Sequence, residues 1–131
     1  MKTIETRNIY LKYIDCLNSR KLDDLAEFVN DKLTYNKNPI TLKDYQDMLA
    51  GNISDIPDLY FDVNLLVADE DMIACRLNFN CTPVKEFMGI MVNGKKVSFS
   101  EHVFYKLKEG KIIEVWSLID KDAIRDQITE A

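Results

Sequence analysis

The chain has 131 residues, 47% of them hydrophobic and 30% charged, with a formal net charge of −5. This length fits a single domain, taken as residues 1–131, that can bury a hydrophobic core of its own. The acidic balance argues against nucleic-acid binding, which needs clustered basic residues, and no apolar run approaches the roughly 20 residues of a transmembrane helix.

The start of the sequence shows the periodicity of helices. The apolar residues of a first predicted helix keep the spacing i, i+3, i+4, i+7 of one helix face: Tyr10, Tyr13, Ile14 and Leu17. A shorter repeat predicts a second helix over residues 22–29. Leu33 and Tyr35 then alternate with polar residues, which predicts a short strand, and Pro39 breaks the chain after it.

A third helix is predicted to begin at Thr41, because Asp44 follows three residues later and completes a capping-box pattern. Its apolar stripe consists of Leu42, Tyr45, Met48 and Leu49. Gly51 is expected to end this helix.

From Tyr60 onward the apolar period changes to two residues, which is typical of strands. A first hairpin is predicted to join residues 61–67 to residues 73–79 through an acidic turn. Asn93-Gly94 is a strong signal for a two-residue hairpin turn, and Glu109-Gly110 is a weaker one. Residues from about 87 to 120 are therefore expected to form three antiparallel strands, followed by a short helix over residues 120–127.

Helices followed by a meander of strands predict an α+β fold in which the helices cover one face of an antiparallel sheet. Cys75 and Cys81 lie on one predicted strand, roughly 20 Å apart, which is too far for a disulfide. The first residues include Lys2 and Arg7 and lack the apolar run of a secretion signal. We therefore expect reduced thiols and a cytoplasmic protein.

Two-residue turns at both hairpin signals would decide which side chains share a face of the sheet. In that register Glu101 pairs with Leu118. One face then carries Met88, Ile90, Val97, Phe99, Val103, Trp116 and Leu118, together with Glu86, Glu101 and Asp120. The opposite face carries Phe87, Ser98, Ser100, His102, Phe104, Ile113, Val115, Ser117 and Ile119.

The opposite face is also substantially apolar, although the helices can cover only one side of the sheet. Closed two-fold dimers are the commonest way to bury such a surface. We therefore expect a homodimer through this face, with His102 and Ser117 near the contact.

Several segments of the second half carry a resemblance to a known family. They read IPDL at residues 56–59, EFMGI at 86–90, NGK at 93–95, GKIIEVW at 110–116 with Asp120 after it, and QI at 127–128. In order and spacing they resemble the SnoaL-like polyketide cyclases of the nuclear-transport-factor-2-like superfamily. The resemblance runs from about Ile56 to Ile128.

The resemblance implies a cone-shaped fold in which the N-terminal helices and a curved sheet enclose an apolar pocket, frequently in a dimer. Characterised members close a polyketide ring by intramolecular aldol addition without metal or cofactor, and an aspartate matching Asp120 serves as acid/base. The chain departs from the family at Tyr35-Asn36, where members carry a pocket histidine, and at Cys81-Thr82-Pro83 in place of a GTH segment. His102, the one histidine, is displaced from the family's strand histidine.

Two carboxylates are the candidate catalytic residues. Asp120 can act as a general acid/base if apolar walls raise its pKa, or it can cap the last helix, which would lower its pKa. Glu101 has apolar neighbours on its predicted face and is the second candidate. Glu86 either faces Glu101 as a dyad or points to solvent, and the second alternative is favoured.

The predicted pocket is lined by Tyr13, Tyr35, Met88, Phe99, Val103 and Trp116, although any of these can equally be a core residue. The cysteines and the single histidine have no metal-ligand spacing, and no phosphate loop is present. We therefore expect no cofactor and a small apolar or aromatic molecule as the partner.

The leading hypothesis is a cyclase that acts on a carbonyl compound by carboxylate acid/base chemistry. A non-catalytic ligand-binding domain on the same fold is the first alternative. An isomerase or epoxide hydrolase, which the superfamily also includes, is the second.

Overall fold

The computed structural model describes residues 2–129, in which helices and short strands precede a run of longer strands. In chain order the elements are α1 (Thr3–Asn18), a 3₁₀-helix (Leu22–Glu27), β1 (Val29–Tyr35), β2 (Asn38–Thr41), α2 (Leu42–Asp55), β3 (Asp62–Ala68), β4 (Met72–Cys81), β5 (Glu86–Phe87), β6 (Ile90–Met91), β7 (Val97–Lys108), β8 (Lys111–Ile119) and α3 (Lys121–Thr129). None of the helices in this range is long and apolar enough to cross a membrane.

Helix α1 forms where the apolar spacing predicts it, and its predicted stripe is buried. The stripe packs on the sheet, with the ring centroids of Tyr10 and Tyr105 5.0 Å apart. The second predicted helix is a 3₁₀-helix that ends at Glu27, so Val29 already belongs to β1.

Helix α2 begins at the predicted capping box. The Asp44 N–H donates to Thr41 Oγ1 at 3.1 Å, and the Thr41 N–H donates to Asp44 Oδ2 at 3.0 Å. The prediction that Gly51 ends this helix is wrong, because the helix continues to Asp55. An interior glycine reduces helix stability by about 1 kcal/mol. Ile56, directly after the helix, is completely buried, and the free energy of that burial is large enough to offset the loss.

Six strands form one curved sheet in the order β2-β1-β8-β7-β4-β3. Neighbouring strands are antiparallel except β1 and β8, which are parallel, so the sheet is mixed. Helices α1 and α2 cover one face, which we call the inner face. The predicted α+β class, with N-terminal helices on a curved sheet, is confirmed.

The sequence does not predict β2, because Pro39 indicates a break. Pro39 lies in β2 at the edge of the sheet, opposite Thr34. An edge strand tolerates proline because its outer side needs no backbone donor.

The strands next to Asn93-Gly94 do not pair as predicted. The turn itself forms, with the Lys95 N–H donating to the Val92 carbonyl at 3.2 Å. However, β5 pairs with β6 in a separate small hairpin and not with β7. Met88 and Gly89 close that hairpin with φ angles of 52° and 82°. The strands therefore pair across this earlier two-residue turn and not across Asn93-Gly94. Glu86 consequently does not face Glu101 and is exposed.

The register between β7 and β8 differs from the predicted one because β8 contains an extra residue. The turn at Glu109-Gly110 has two residues as predicted, since Lys108 pairs with Lys111. Leu107 then pairs with Ile112, but Lys106 pairs with Glu114, which leaves Ile113 as a β-bulge. Beyond a bulge, every side chain of the strand faces the side opposite to the predicted one.

Because of the bulge, the predicted faces of β8 beyond Ile113 are exchanged. Val115, Ser117 and Ile119 belong to the inner face, and Val115 is only 2% exposed. Trp116 and Leu118 turn away from the helices and are 38% and 73% exposed. The predicted inward position of Trp116 is therefore wrong, as is the predicted outward position of Val115 and Ile119.

The outer face of the sheet, away from α1 and α2, exposes large apolar side chains in two cross-strand rows. The first row runs through Val67, Ala74, Phe104 and Trp116, and the second through Leu65, Arg76, His102 and Leu118. We call the exposed apolar members of these rows the outer patch: Leu65, Val67, Phe104, Trp116 and Leu118.

Candidate functional site

A cavity lies between helix α2 and the inner face of the sheet. Helix α2 lines it with residues at the spacing of one helix face, Tyr45, Met48, Leu49 and Asn52. Its volume is about 60 Å³. The other lining residues are Tyr13, Tyr35, Ile56, Leu59, Phe61, Phe79, Phe87, Phe99, Glu101, Tyr105, Val115 and Ile119.

Four phenylalanines form a continuous aromatic wall in this cavity. The ring centroids are 5.5 Å apart for Phe61 and Phe79, 5.1 Å for Phe79 and Phe99, and 5.6 Å for Phe87 and Phe99. Phe87 lies on the small β5–β6 hairpin, outside the main sheet. Such a wall suits a planar apolar molecule.

Glu101 is the one carboxylic acid among the described lining residues. Strand β7 turns its side chain inward together with Phe99, Val103 and Tyr105, because alternate residues of a strand share a face. Its Oε2 accepts a hydrogen bond from the Ser117 hydroxyl on β8. Neither of the two ion pairs found within residues 2–129 involves Glu101.

Burial raises the pKa of Glu101 above its ordinary value, and the hydrogen bond from Ser117 opposes part of that rise. No cation within the described chain pairs with the carboxylate to reverse the shift. A carboxyl whose pKa moves toward neutrality is better matched to general acid/base work than a solvated one.

Tyrosine hydroxyls accompany Glu101 in the lining. The hydroxyl oxygens of Tyr13 and Tyr45 are 2.5 Å apart, and the ring of Tyr35 lies 6.2 Å from that of Tyr45. Burial raises the pKa of each of these phenols and of Tyr105. The hydroxyls therefore stay protonated at neutral pH. One of Tyr13 and Tyr45 donates to the other, and the second O–H of the pair can donate to an oxygen of a bound molecule.

The cavity thus combines a carboxyl group with several O–H donors. Removing a proton beside a carbonyl needs a base and donors for the oxyanion that forms, and this set supplies both. The arrangement is therefore suited to proton transfer on a ketone.

The structure brings half of the predicted site residues together. Tyr13, Tyr35, Phe99 and Glu101 line the cavity, whereas Met88, Val103, Trp116 and Asp120 do not. Val103 is buried in the core, Met88 is exposed in the β5–β6 turn, and Trp116 lies in the outer patch. The catalytic role of Glu101 stays a prediction.

Asp120 precedes helix α3 and is exposed. Its Oδ1 accepts a hydrogen bond from the Ala123 N–H at 3.1 Å, which is the geometry of a helix N-cap. It borders a wide open groove that shares Phe79 and Phe99 with the cavity but does not contain Glu101. The position therefore favours capping over acid/base catalysis for Asp120.

Polar residues that escape the sequence prediction include Tyr45 and Asn52 in the lining and Ser117 behind it. Tyr45 is predicted on the apolar stripe of α2 but not as a site residue, and Asn52 continues that stripe one step further. A polar residue at the i+7 position of an apolar stripe is a signal that could have identified Asn52. Ser117 is missed because the bulge at Ile113 reverses its predicted face.

The remaining reactive side chains lie elsewhere. Cys16, Cys75 and Cys81 are free and buried, and His102 is exposed on the outer face as predicted. Within residues 2–129 no three histidine, cysteine or acidic side chains are placed to hold a metal ion.

Known proteins resemble this chain in sequence and in structure. The family model described as SnoaL-like polyketide cyclase matches residues 7–128. The crystal structure of a SnoaL-like polyketide cyclase from Agrobacterium tumefaciens has 46% sequence identity and a TM-score of 0.93, over 98% of this chain and 99% of that chain. No curated protein sequence matches.

More distant structures share the fold. AclR from Streptomyces galilaeus has 23% identity and a TM-score of 0.80 over 99% of both chains. TsrD from Streptomyces laurentii has 15% identity and a TM-score of 0.85 over 98% of this chain and 97% of that chain. At these identities the likeness concerns the fold alone.

Proposed function

Because this chain belongs to the SnoaL-like polyketide cyclase family, we propose that it closes a ring in a polyketide-like ketone by intramolecular aldol addition. The observation that carries the proposal is the placement of Glu101. Its carboxyl lies in a cavity whose other polar groups include tyrosine hydroxyls and whose walls are largely aromatic.

In the first step the Glu101 carboxylate removes a proton from the carbon next to a substrate carbonyl. The electron pair of that C–H bond moves to the carbonyl oxygen and forms an enolate. Phenol hydroxyls of the cavity, Tyr45 among them, donate hydrogen bonds to this oxygen. The tyrosines remain protonated throughout, since burial raises their pKa.

In the second step the enolate carbon attacks another carbonyl carbon of the same molecule and forms the new ring bond. Glu101 returns its proton to the alkoxide that results. The product is an isomer of the substrate, so no atom is gained or lost and no oxidant or reductant is needed. We therefore propose that the reaction proceeds without a cofactor.

The cavity sets the shape of the substrate. Tyr45 and Asn52 on α2 are seven residues apart, which is about 10 Å along the helix. A ligand that lies along α2 meets the Tyr45 hydroxyl near one end and the Asn52 amide near the other, with the aromatic wall beside it. The volume of about 60 Å³ is smaller than the few hundred Å³ of typical ligand pockets, so binding requires lining side chains, such as Phe87 on the small β5–β6 hairpin, to move.

Exchange of the enolisable protons of α-tetralone in D₂O tests the first step directly. This aromatic ketone needs only enolisation, and NMR records the loss of the C2 proton signal. We expect wild-type protein to accelerate the exchange and Glu101→Gln to reduce the acceleration by about a hundredfold, the usual scale for an acid/base group. Glu86→Gln, which alters an exposed carboxylate, is the matched control and should retain the activity.

Two results would contradict the proposal. Exchange that Glu101→Gln retains would remove Glu101 from the chemistry. Binding of α-tetralone, seen as chemical-shift changes of cavity residues, without any accelerated exchange would favour the non-catalytic ligand-binding alternative.

We also propose that the protein is a homodimer formed through the outer patch. The corrected register supports a different contact from the predicted one, with Phe104, Trp116 and Leu118 at its centre. An exposed apolar surface with large side chains from β3, β7 and β8 is unusual for a monomer. The patch can bury itself against a second copy about a two-fold axis.

We also propose that the protein is cytoplasmic. Cys16, Cys75 and Cys81 are all free thiols, which a reducing compartment preserves.

A further inference from the structure

The turn after β1 contains a side chain that takes the place of a strand residue. Strand β1 ends at Tyr35, which pairs with Val115 in the parallel ladder. Asn36 and Lys37 follow with φ angles of 47° and 75°, and β2 begins at Asn38. The main chain of β1 therefore turns away from β8 before reaching Ser117.

The Asn36 amide continues the ladder where the main chain leaves it. Its Oδ1 accepts a hydrogen bond from the Ser117 N–H at 2.8 Å, and its Nδ2 donates to the Ser117 carbonyl at 3.2 Å. The Asn36 N–H in turn donates to the Val115 carbonyl at 2.9 Å. One amide side chain thus satisfies both backbone groups of Ser117 on this side of β8.

Ser117 therefore has a partner on each side of β8, with Asn36 on the side of β1. On its other side it pairs with Val103 of β7 in the antiparallel ladder. Its hydroxyl is then directed inward to the Glu101 carboxylate. The chain of contacts from Asn36 to Ser117 to Glu101 links an exposed turn to the half-buried acid of the cavity.

Asparagine meets two requirements at this position. Its amide carries both a donor and an acceptor. Ionised aspartate supplies only acceptors, and alanine supplies neither. Asparagine also tolerates the left-handed backbone conformation of a two-residue turn better than most residues. A substitution that removes the Asn36 amide and keeps the left-handed turn therefore separates the two roles.

We propose that Asn36 is a positioning residue for Glu101: its amide fixes Ser117, and the Ser117 hydroxyl holds the Glu101 carboxyl in one orientation toward the cavity. The importance of this orientation for catalysis rests on the function proposed for Glu101. The geometric link itself does not, so the two can be tested apart.

The titratable groups that lie close enough for the Glu101 charge to raise their pKa come from four elements. They are Tyr35 on β1, Tyr45 on α2, Cys75 on β4 and Tyr105 on β7. Burial raises the pKa of each, so all four are neutral near pH 7. The titration of Glu101 is therefore sensitive to its hydrogen bond with Ser117 and not to a neighbouring charge that changes over the same pH range.

The test uses four variants of the full chain: Asn36→Gly, Lys37→Gly, Ser117→Ala and the double variant Asn36→Gly/Ser117→Ala. Glycine accepts the left-handed backbone at residue 36, so Asn36→Gly removes the amide and keeps the turn. Lys37→Gly changes the other left-handed residue of the turn and leaves the amide in place, which makes it the matched control. The readout is the midpoint of the Glu101 carboxyl ¹³C titration, recorded without ligand.

We expect Ser117→Ala to move the Glu101 midpoint to higher pH, because the hydrogen bond that stabilises the carboxylate is lost. Asn36→Gly should move it in the same direction by a smaller amount, and Lys37→Gly should leave it unchanged. In the Ser117→Ala background, Asn36→Gly should add nothing. The α-tetralone exchange rate should fall about three- to tenfold in Asn36→Gly, the scale of one hydrogen bond.

A wild-type midpoint in Asn36→Gly would overturn the proposal, and so would an equal shift in the presence and absence of the Ser117 hydroxyl. If no variant and no wild-type sample exchanges α-tetralone, the proposed function fails, while the titration still decides whether Asn36 positions Glu101.

Discussion

The two faces of the β7–β8 hairpin differ in chemistry although they are built from alternate residues of the same two strands. The inner face carries Glu101, Val103, Tyr105, Val115 and Ser117, which are buried or half-buried. The outer face carries Phe104, Trp116 and Leu118, which are exposed. One face is suited to holding a small molecule, and the other is suited to meeting a second protein surface.

The difference depends on a single residue. Ile113 is the extra residue of β8, and if it paired with Lys106 in a regular ladder, Trp116 and Leu118 would share a face with Glu101. An alternating sequence thus encodes two surfaces, and a β-bulge decides which surface faces the helices. Variants that change the register of β8 or one of the two faces test this division.

Insertion of an alanine between Glu114 and Val115 should destabilise the protein most. If the turn and the pairing of Lys106 with Glu114 are kept, residues 115–119 must then rotate, which exposes Val115 and turns Trp116 inward. We expect the free energy of unfolding to fall by about 3 kcal/mol or more, measured by urea denaturation. Deletion of Ile113 removes the bulge but leaves Lys106 opposite Glu114, so it keeps both faces and should cost only about 1–2 kcal/mol. Equal stability of the two variants would show that the register of β8 does not fix the two faces.

A charge in the outer patch should separate the proposed dimer without affecting the cavity. Leu118 is 73% exposed, so Leu118→Glu leaves the monomer intact but buries a carboxylate in the dimer contact. We expect the dissociation constant of the dimer to rise about a hundredfold, measured by sedimentation. Ile4→Glu, at a 66% exposed position on α1, is the control and should remain dimeric. A monomeric wild type at micromolar concentration would contradict the proposal.

Local signals in the sequence predict the elements of the fold better than they predict the site. The capping box at Thr41, the stripe of α1 and the turn at Glu109-Gly110 depend on neighbouring residues, and each forms as predicted. The faces of β8 depend on one inserted residue whose sequence, Ile112-Ile113, looks like ordinary strand. The predicted pocket residues reflect this difference between the strands. The prediction places Phe99 and Glu101 on β7 correctly, whereas it places Trp116 on β8 on the wrong face.

The half-buried acid of the inner face, Glu101, should make stability depend on pH. Burial raises the pKa of Glu101 in the folded state above its unfolded value. Its favourable contribution is therefore fully present below the unfolded pKa and is lost as the pH rises through the folded pKa. Glu101→Gln removes the ionisation, so we expect it to be more stable than wild type by about 1 kcal/mol or more at high pH and nearly equal at low pH. Melting temperatures between about pH 4 and 8 measure this, and a gain that is the same at every pH would contradict it.

The smallest effect should be found at Asp120, the acid that the inner face does not contain. As an N-cap it accepts a hydrogen bond from Ala123 N–H, and asparagine caps a helix about as well as aspartate. Asp120→Asn should therefore change the free energy of unfolding by only a few tenths of a kcal/mol, whereas Asp120→Ala should lose about 1 kcal/mol in the same denaturation experiment. Both variants should exchange α-tetralone at the wild-type rate, because Asp120 is not in the lining of the cavity. Loss of exchange in Asp120→Asn with unchanged stability would instead show that the last helix moves to bring Asp120 to the substrate, and it would transfer the acid/base role from Glu101 to Asp120.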